Sequence, residues 1–257
     1  TMPGSPPPPI ASASAALWFL DTAAFEEPSA TQPWLARLAP HERRRYAAYQ
    51  NAEARRDYLG TRALVRTALA HATGLPAERL RFGADPLARP ELVEPPVAGL
   101  SISLANTNQL AVGLFALDRA VGVDVELVAP IAAVGLAECF FSPREAAELS
   151  ALAEDASLTR FYELWTLREA YLKARGVGLT LPLDQLAFRP TPSGTAQAEF
   201  GPAIRDDPDR WQFGLTWITQ RHLAATCIER PSSGASTRIA LFDAGPAVAE
   251  AARPPLD

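Results

Sequence analysis

Phe161-Tyr162-Glu163-Leu164-Trp165-Thr166-Leu167-Arg168-Glu169-Ala170-Tyr171-Leu172-Lys173 is the densest stretch of the sequence. Its apolar residues recur at helical spacing, and Phe161, Leu164, Trp165 and Leu172 form one stripe. The pattern predicts a helix from Leu158 to Arg175, stopped by Gly176. Glu169 and Lys173 are four apart, so they share the edge of that stripe, where a cleft wall would stand. Arg168 falls nearer the apolar side, and nothing local explains it. Lys173 is the only lysine among 24 basic residues. Where either cation serves, this chain uses arginine; a compact ammonium with a transferable proton differs from a planar fork at a reacting phosphate.

Upstream, Val121-Gly122-Val123-Asp124-Val125-Glu126 alternates with the period of a strand. Asp124 and Glu126 then point to one face, about 7 Å apart, and the valines to the other. Two acids at that spacing can share a hard cation or its waters. Gly122 leaves room beside them for a ligand backbone or phosphate. The same pattern also fits a half-buried strand with a solvated face.

Three acids and one lysine, with no Ser-His or Cys-His set, favour phosphoryl-type chemistry. Magnesium takes a few carboxylates plus waters and substrate phosphates. A carboxylate can accept a hydroxyl proton, and an ammonium can neutralise a departing phosphate. Bulk properties narrow the field. At 257 residues with 48% hydrophobic and 21% charged content, the chain is globular. A net charge of −5 gives no basic field for nucleic acid. Cys139 and Cys227 make neither a metal spacing nor a disulfide framework, which fits a reducing cytoplasm, and His41, His71 and His222 are scattered. No apolar run is long enough for a membrane span.

Elsewhere, residues 1–15 read as a disordered, proline-rich leader and Ala16–Asp21 as a first strand. Pro40–Leu69 reads as strongly helical, and Arg79–Phe82 and Leu100–Leu104 as extended. Leu110–Leu117 and Val121–Val125 read as a hairpin or a pair of adjacent strands. Ser142 with Glu145 forms a capping box opening a helix. Gly214–Ile218 and Leu223–Ile228 give a late antiparallel pair. The order predicts an α+β fold of two lobes, 16–120 and 121–230, with a loosely ordered tail over 231–257.

Gly122-Val123-Asp124-Val125-Glu126, then Phe140-Phe141-Ser142 with Glu145, then Phe161–Lys173 and Gly178-Leu179-Thr180-Leu181-Pro182-Leu183 together resemble the 4′-phosphopantetheinyl transferases of the larger, two-lobed type. The likeness is strong from about residue 100 to 190. It implies two similar α/β lobes in pseudo-twofold arrangement, and transfer of the phosphopantetheine arm of coenzyme A to a serine of an apo acyl or peptidyl carrier protein. Such enzymes serve polyketide, non-ribosomal peptide or fatty acid synthesis. By the resemblance, Asp124, Glu126 and Glu169 hold Mg²⁺. Glu169, or a water near Glu145, takes the serine proton, and Lys173 stabilises the leaving 3′,5′-ADP. Coenzyme A is gripped by Arg89, Arg43, Arg62, Ser103 and Asn106, with Lys173. Leu104 stands where a histidine is usual, and Arg168 where lysine is. Phe140, Phe141 and the helix after Ser142 read either as a docking surface for the carrier or as core. The resemblance implies a monomer in the cytoplasm. Two other classes fit the acids: a metal-dependent phosphohydrolase, and a non-catalytic coenzyme A-binding scaffold.

Overall fold

The computed structural model describes residues 14–83 and 91–252. In chain order the elements are β1 (Ser14–Asp21), α1 (Pro28–Arg37), α2 (Pro40–Ala48), α3 (Ala52–Thr73), β2 (Arg81–Phe82), β3 (Leu92–Glu94), β4 (Leu100–Thr107), β5 (Leu110–Leu117) and β6 (Val121–Leu127). Then come α4 (Ala133–Phe140), α5 (Pro143–Ala151), α6 (Glu154–Arg175), β7 (Leu186–Pro190), β8 (Thr195–Phe200), β9 (Trp211–Trp217), β10 (His222–Glu229), β11 (Arg238–Asp243) and α7 (Gly245–Ala251). The fold is α+β. Its two compact units are not consecutive halves: the first takes the chain up to Asp118 and again from Arg238, and the second is Arg119–Thr237.

In the first unit a four-stranded sheet runs β11-β1-β5-β4. The buried face of α3, with Leu59, Ala63, Leu64 and Ala68, packs with Trp18, Leu20 and Phe115 from the sheet. The expected helix over Pro40–Leu69 is two helices. Asn51 breaks it, because its side chain accepts the Glu53 amide and so starts a new N-terminus. Gly74, at φ 68°, ends α3. Glu42 of α2 is buried and ion-paired with Arg66 of α3. Burial pushes the Glu42 carboxyl up, but the hydrogen bond and charge of Arg66 and the Ala39 amide outweigh it and leave the group below its ordinary value. A depressed carboxylate stabilises the fold above its unfolded-state pKa and stops doing so as pH falls through the folded one. Urea unfolding should therefore show stability falling below about pH 4.5, and Glu42→Gln should flatten that slope while lowering stability at pH 7.

In the second unit an antiparallel five-stranded sheet runs β6-β10-β9-β8-β7. Helix α6 packs on it: Phe161, Leu164, Leu167 and Tyr171 share a core with Phe188, Trp211, Phe213 and Leu223. The helix starts at Glu154, earlier than the expected Leu158, with Glu154 and Asp155 in its first turn, where acids favour the positive end of the helix dipole. It stops at Gly176, φ 68°, whose N–H reaches the Leu172 and Lys173 carbonyls. The Ser142–Glu145 capping box opens α5 as expected.

Three expectations are corrected. Ser14 and Ala15, assigned to the leader, already belong to β1; residues 1–13 lie outside the described residues. Strands β5 and β6 are not a hairpin. β5 pairs with β1 and β4, and β6 pairs with β10 in the other unit. The tail is not loose over 238–251: β11 lies parallel to β1 from Ser14↔Arg238 to Phe19↔Asp243, and Val248 of α7 joins the first unit's core. Parallel pairing with a strand so far back in sequence leaves no local signal. Among the described residues no helix is long and apolar enough to cross a membrane.

Candidate active site

Strand β6 supplies Asp124 and Glu126; helix α6 supplies Trp165, Glu169 and Lys173. The two elements touch because residue 122 is glycine. A Cβ there would lie 1.9 Å from the Ala170 carbonyl oxygen and 2.5 Å from the Ala174 amide nitrogen. The room that Gly122 leaves beside the acids is thus filled by the backbone of α6, not kept for a ligand. Close approach of strand and helix is what brings Lys173 across to Asp124, with Nζ 2.7 Å from Oδ1.

The electrostatics of the cluster are tense. Burial pushes Asp124 up, against the charge and hydrogen bond of Lys173 and the Val125 amide. Burial, the Asp124 charge and the Glu169 charge push Glu126 up to about 7, opposed by Lys173 and by a hydrogen bond from the Trp165 indole. Glu169 is raised by burial and by Asp124, against Lys173. The three acids therefore feel one another's charge, with a single ammonium among them. Carboxylates held in this way gain from any further cation that comes within reach.

Among the described residues no three His, Cys, Asp or Glu side chains form a group already spaced to hold a metal ion. The cation that Asp124 holds is the ammonium. Its other oxygen, Oδ2, is buried and has no hydrogen-bond partner among the described residues. A buried carboxylate oxygen without a donor is costly, and a hard divalent ion satisfies it. On that observation Asp124 is open to a further cation, with Glu126 and Glu169 as the neighbouring acids whose charges reach it.

Glu145 does not join this cluster. Its Oε2 accepts from the Ser142 amide and hydroxyl and from Arg168, and its Oε1 accepts the Phe188 amide. With 3% exposure and both oxygens accepting hydrogen bonds, it is shut off from solvent and committed to these partners. The same contacts explain Arg168, which also donates to the Leu164 and Leu186 carbonyls and lies 4.1 Å over the Phe141 ring. Their work is to join α5, α6 and β7. Glu145→Gln should therefore act on stability, by about 3–5 kcal/mol, because it strands a buried guanidinium. Thermal melting should show the loss, and the double change Glu145→Gln with Arg168→Met should recover part of it.

The first unit's candidates are dispersed in role. Arg43 caps α1, donating to the Leu38 and Ala36 carbonyls. Arg62 stacks 5.1 Å from the Tyr58 ring and lies 3.9 Å from Glu42. Ser103 is buried on β4, opposite Leu114 of β5, and Asn106 accepts from the Thr61 hydroxyl at 3.5 Å. Arg89 lies outside the described residues. Of the two phenylalanines, Phe141 is core and Phe140 is 39% exposed, edge-on to Trp165. Trp165 is the residue the pattern hid. It was legible only as part of the apolar stripe, yet it stands four residues before Glu169 on the same face, which is the signal that it borders the acids.

Residues 120–227 match the family model described as the 4′-phosphopantetheinyl transferase superfamily. Over those residues the chain is similar to that superfamily. The superfamily match contains Asp124, Glu126, Glu145, Glu169 and Lys173; Arg43, Arg62, Ser103 and Asn106 fall outside it. Among individual superfamily relatives, the chain is similar to the 4′-phosphopantetheinyl transferase ffp of Bacillus subtilis, with 34% identity over 59% of this chain and 65% of the relative. It is also similar to the 4′-phosphopantetheinyl transferase Sfp of Bacillus subtilis strain 168, 30% identical over 59% of this chain and 65% of that protein. A phosphopantetheinyl transferase of a Thraustochytrium species is 28% identical over 87% of this chain and 82% of its own length. The chain thus spans 65% of the length of each of the two Bacillus relatives.

Proposed function

We propose that the protein transfers the 4′-phosphopantetheine arm of coenzyme A to a serine hydroxyl of an apo acyl or peptidyl carrier protein. The observation that carries this reading is the meeting of Asp124, Glu126 and Glu169 with the chain's only lysine, inside the superfamily match. The serine oxygen attacks the phosphorus that bears the pantetheine arm. A serine O–P bond forms, the bond from that phosphorus to the bridging diphosphate oxygen breaks, and 3′,5′-ADP leaves. Glu169, raised by burial and so a better base than a surface glutamate, accepts the serine proton. Lys173 moves its charge from Asp124 toward the leaving phosphate. Asp124, Glu126 and Glu169 would hold Mg²⁺, which when bound neutralises the diphosphate oxygens. The Trp165 indole, which acts to lower the Glu126 pKa, favours the charged carboxylate. Ser103, Asn106 and Arg62 are the first unit's proposed contacts for coenzyme A, on the strength of the resemblance.

The protein is further proposed to act as a cytoplasmic monomer. Mass spectrometry of a purified apo carrier protein, incubated with coenzyme A and Mg²⁺, tests the reading. The carrier should gain about 340 Da, the mass of the arm. Chelation of the metal by EDTA should stop the gain, and added Mg²⁺ should restore it. Hydrolysed coenzyme A without carrier modification would favour a phosphohydrolase instead. Bound but unreacted coenzyme A across several carriers would favour a scaffold.

A further inference from the structure

A cavity of about 1060 Å³ opens in the first unit, bordered by α1, the start of α2, the turn at Ala77–Arg79 and β2. It shares no residue with the Asp124–Lys173 cluster and lies outside the superfamily match. Its walls are mainly apolar, with Pro33, Ala36, Leu38, Leu80 and Phe82. Drug-sized ligands occupy cavities of roughly this size, with a few polar groups fixing their orientation.

The charged groups in the wall are unbalanced. Arg37, Arg66 and Arg81 face one carboxylate, Glu78. Arg37 is committed: its Nε lies 2.5 Å from Glu78 and its other nitrogens donate to the Pro33 and Ala251 carbonyls. Arg66 is ion-paired with Glu42, yet its Nε is buried with no hydrogen-bond acceptor among the described residues, and its guanidinium lies 4.8 Å from the Phe82 ring centre. Arg81 is exposed and donates to the Glu78 carbonyl. Among the described residues no carboxylate lies within 4.0 Å of it, Glu94 opposite it on β3 included. An apolar cavity with an exposed cation in its wall that no carboxylate pairs selects a molecule with an apolar body and a single negative head.

We propose that this cavity binds a small amphipathic carboxylate, its chain along Leu38, Leu80 and Phe82 and its carboxylate on Arg81. Three probes of equal length separate the contributions: decanoate, decan-1-ol and decylamine, titrated calorimetrically into the full chain below their aggregation limits. Decanoate should bind one-to-one and at least about tenfold tighter than decanol, since a charge-assisted hydrogen bond is at stake. Decylamine should bind weakest. Arg81→Ala should bring decanoate to the level of decanol and leave decanol unchanged. Ala36→Trp, at an exposed wall position, should abolish binding of all three by filling the space. Absence of saturable decanoate binding, equal affinity for decanoate and decanol, or unaltered binding in Ala36→Trp would each overturn the proposal.

Discussion

Gly122→Ala is expected to cost about 3 kcal/mol or more, a drop in Tm of roughly 10 °C. Ordinary overpacking is relieved when a side chain rotates. Here the added carbon meets backbone on the far side: the Ala170 carbonyl oxygen at 1.9 Å, the Ala174 amide nitrogen at 2.5 Å and the Ala170 carbonyl carbon at 3.0 Å. No rotamer change can yield. The strand must withdraw by more than about 1 Å to reach an ordinary carbon–oxygen contact. That withdrawal also carries Asp124 away from Lys173, so whatever protein survives should lose the pairing that the proposed chemistry needs. Gly135→Ala is the matched control. Gly135 lies in α4 with nothing within 4 Å of its added carbon, so alanine should stabilise by up to about 1 kcal/mol through helix propensity. Thermal melts of the two variants should move in opposite directions. If both move alike, close strand–helix contact is not what makes residue 122 a glycine.

The second large effect is on turnover. Asp124→Asn should lower arm transfer by about 10³-fold, and Lys173→Ala by about 10²–10³-fold, with the fold retained. Retention is expected because Lys173 is 31% exposed and can turn to water when Asp124 no longer holds it. Lys173→Arg is the more informative change. It keeps the charge but replaces a point donor by a fork, and a loss of about 10²-fold would show that position, not charge alone, is what the site requires. Rates from single-turnover mass spectrometry, set beside the melting temperature of each variant, separate chemistry from folding. Full activity in Asp124→Asn would remove the phosphoryl-transfer reading.

The parts of the molecule that were legible are those whose signal is periodic and local. α6 and β6 announce themselves through spacings of 3.6 and 2, so Asp124, Glu126, Glu169 and Lys173 could be placed on faces before any coordinates. What those faces touch was not legible. Gly122 reads as open space in the chain, and only the packing shows that a helix backbone fills it. Glu145 reads as a spare acid until its Arg168 partner, 23 residues on, is seen. β8, Thr-Ala-Gln-Ala-Glu-Phe, alternates polar and apolar, but two of its three apolar positions are alanine, a poor strand former, so it does not stand out. β11 is half-exposed and pairs with a strand near the other end of the described chain. Non-local pairing and burial by a distant partner leave no mark within a sequence window.

The position of β11 also has a consequence for the order of events as the polypeptide leaves the ribosome. The second unit is one unbroken stretch, while the first is written in two pieces on either side of it. All of Arg119–Thr237 therefore emerges before the strand that completes the first sheet exists. Until then β1 presents an unpaired rim of N–H and C=O groups, the kind of edge that recruits the wrong partner. The nascent chain must guard that rim for the length of time needed to make an entire second unit.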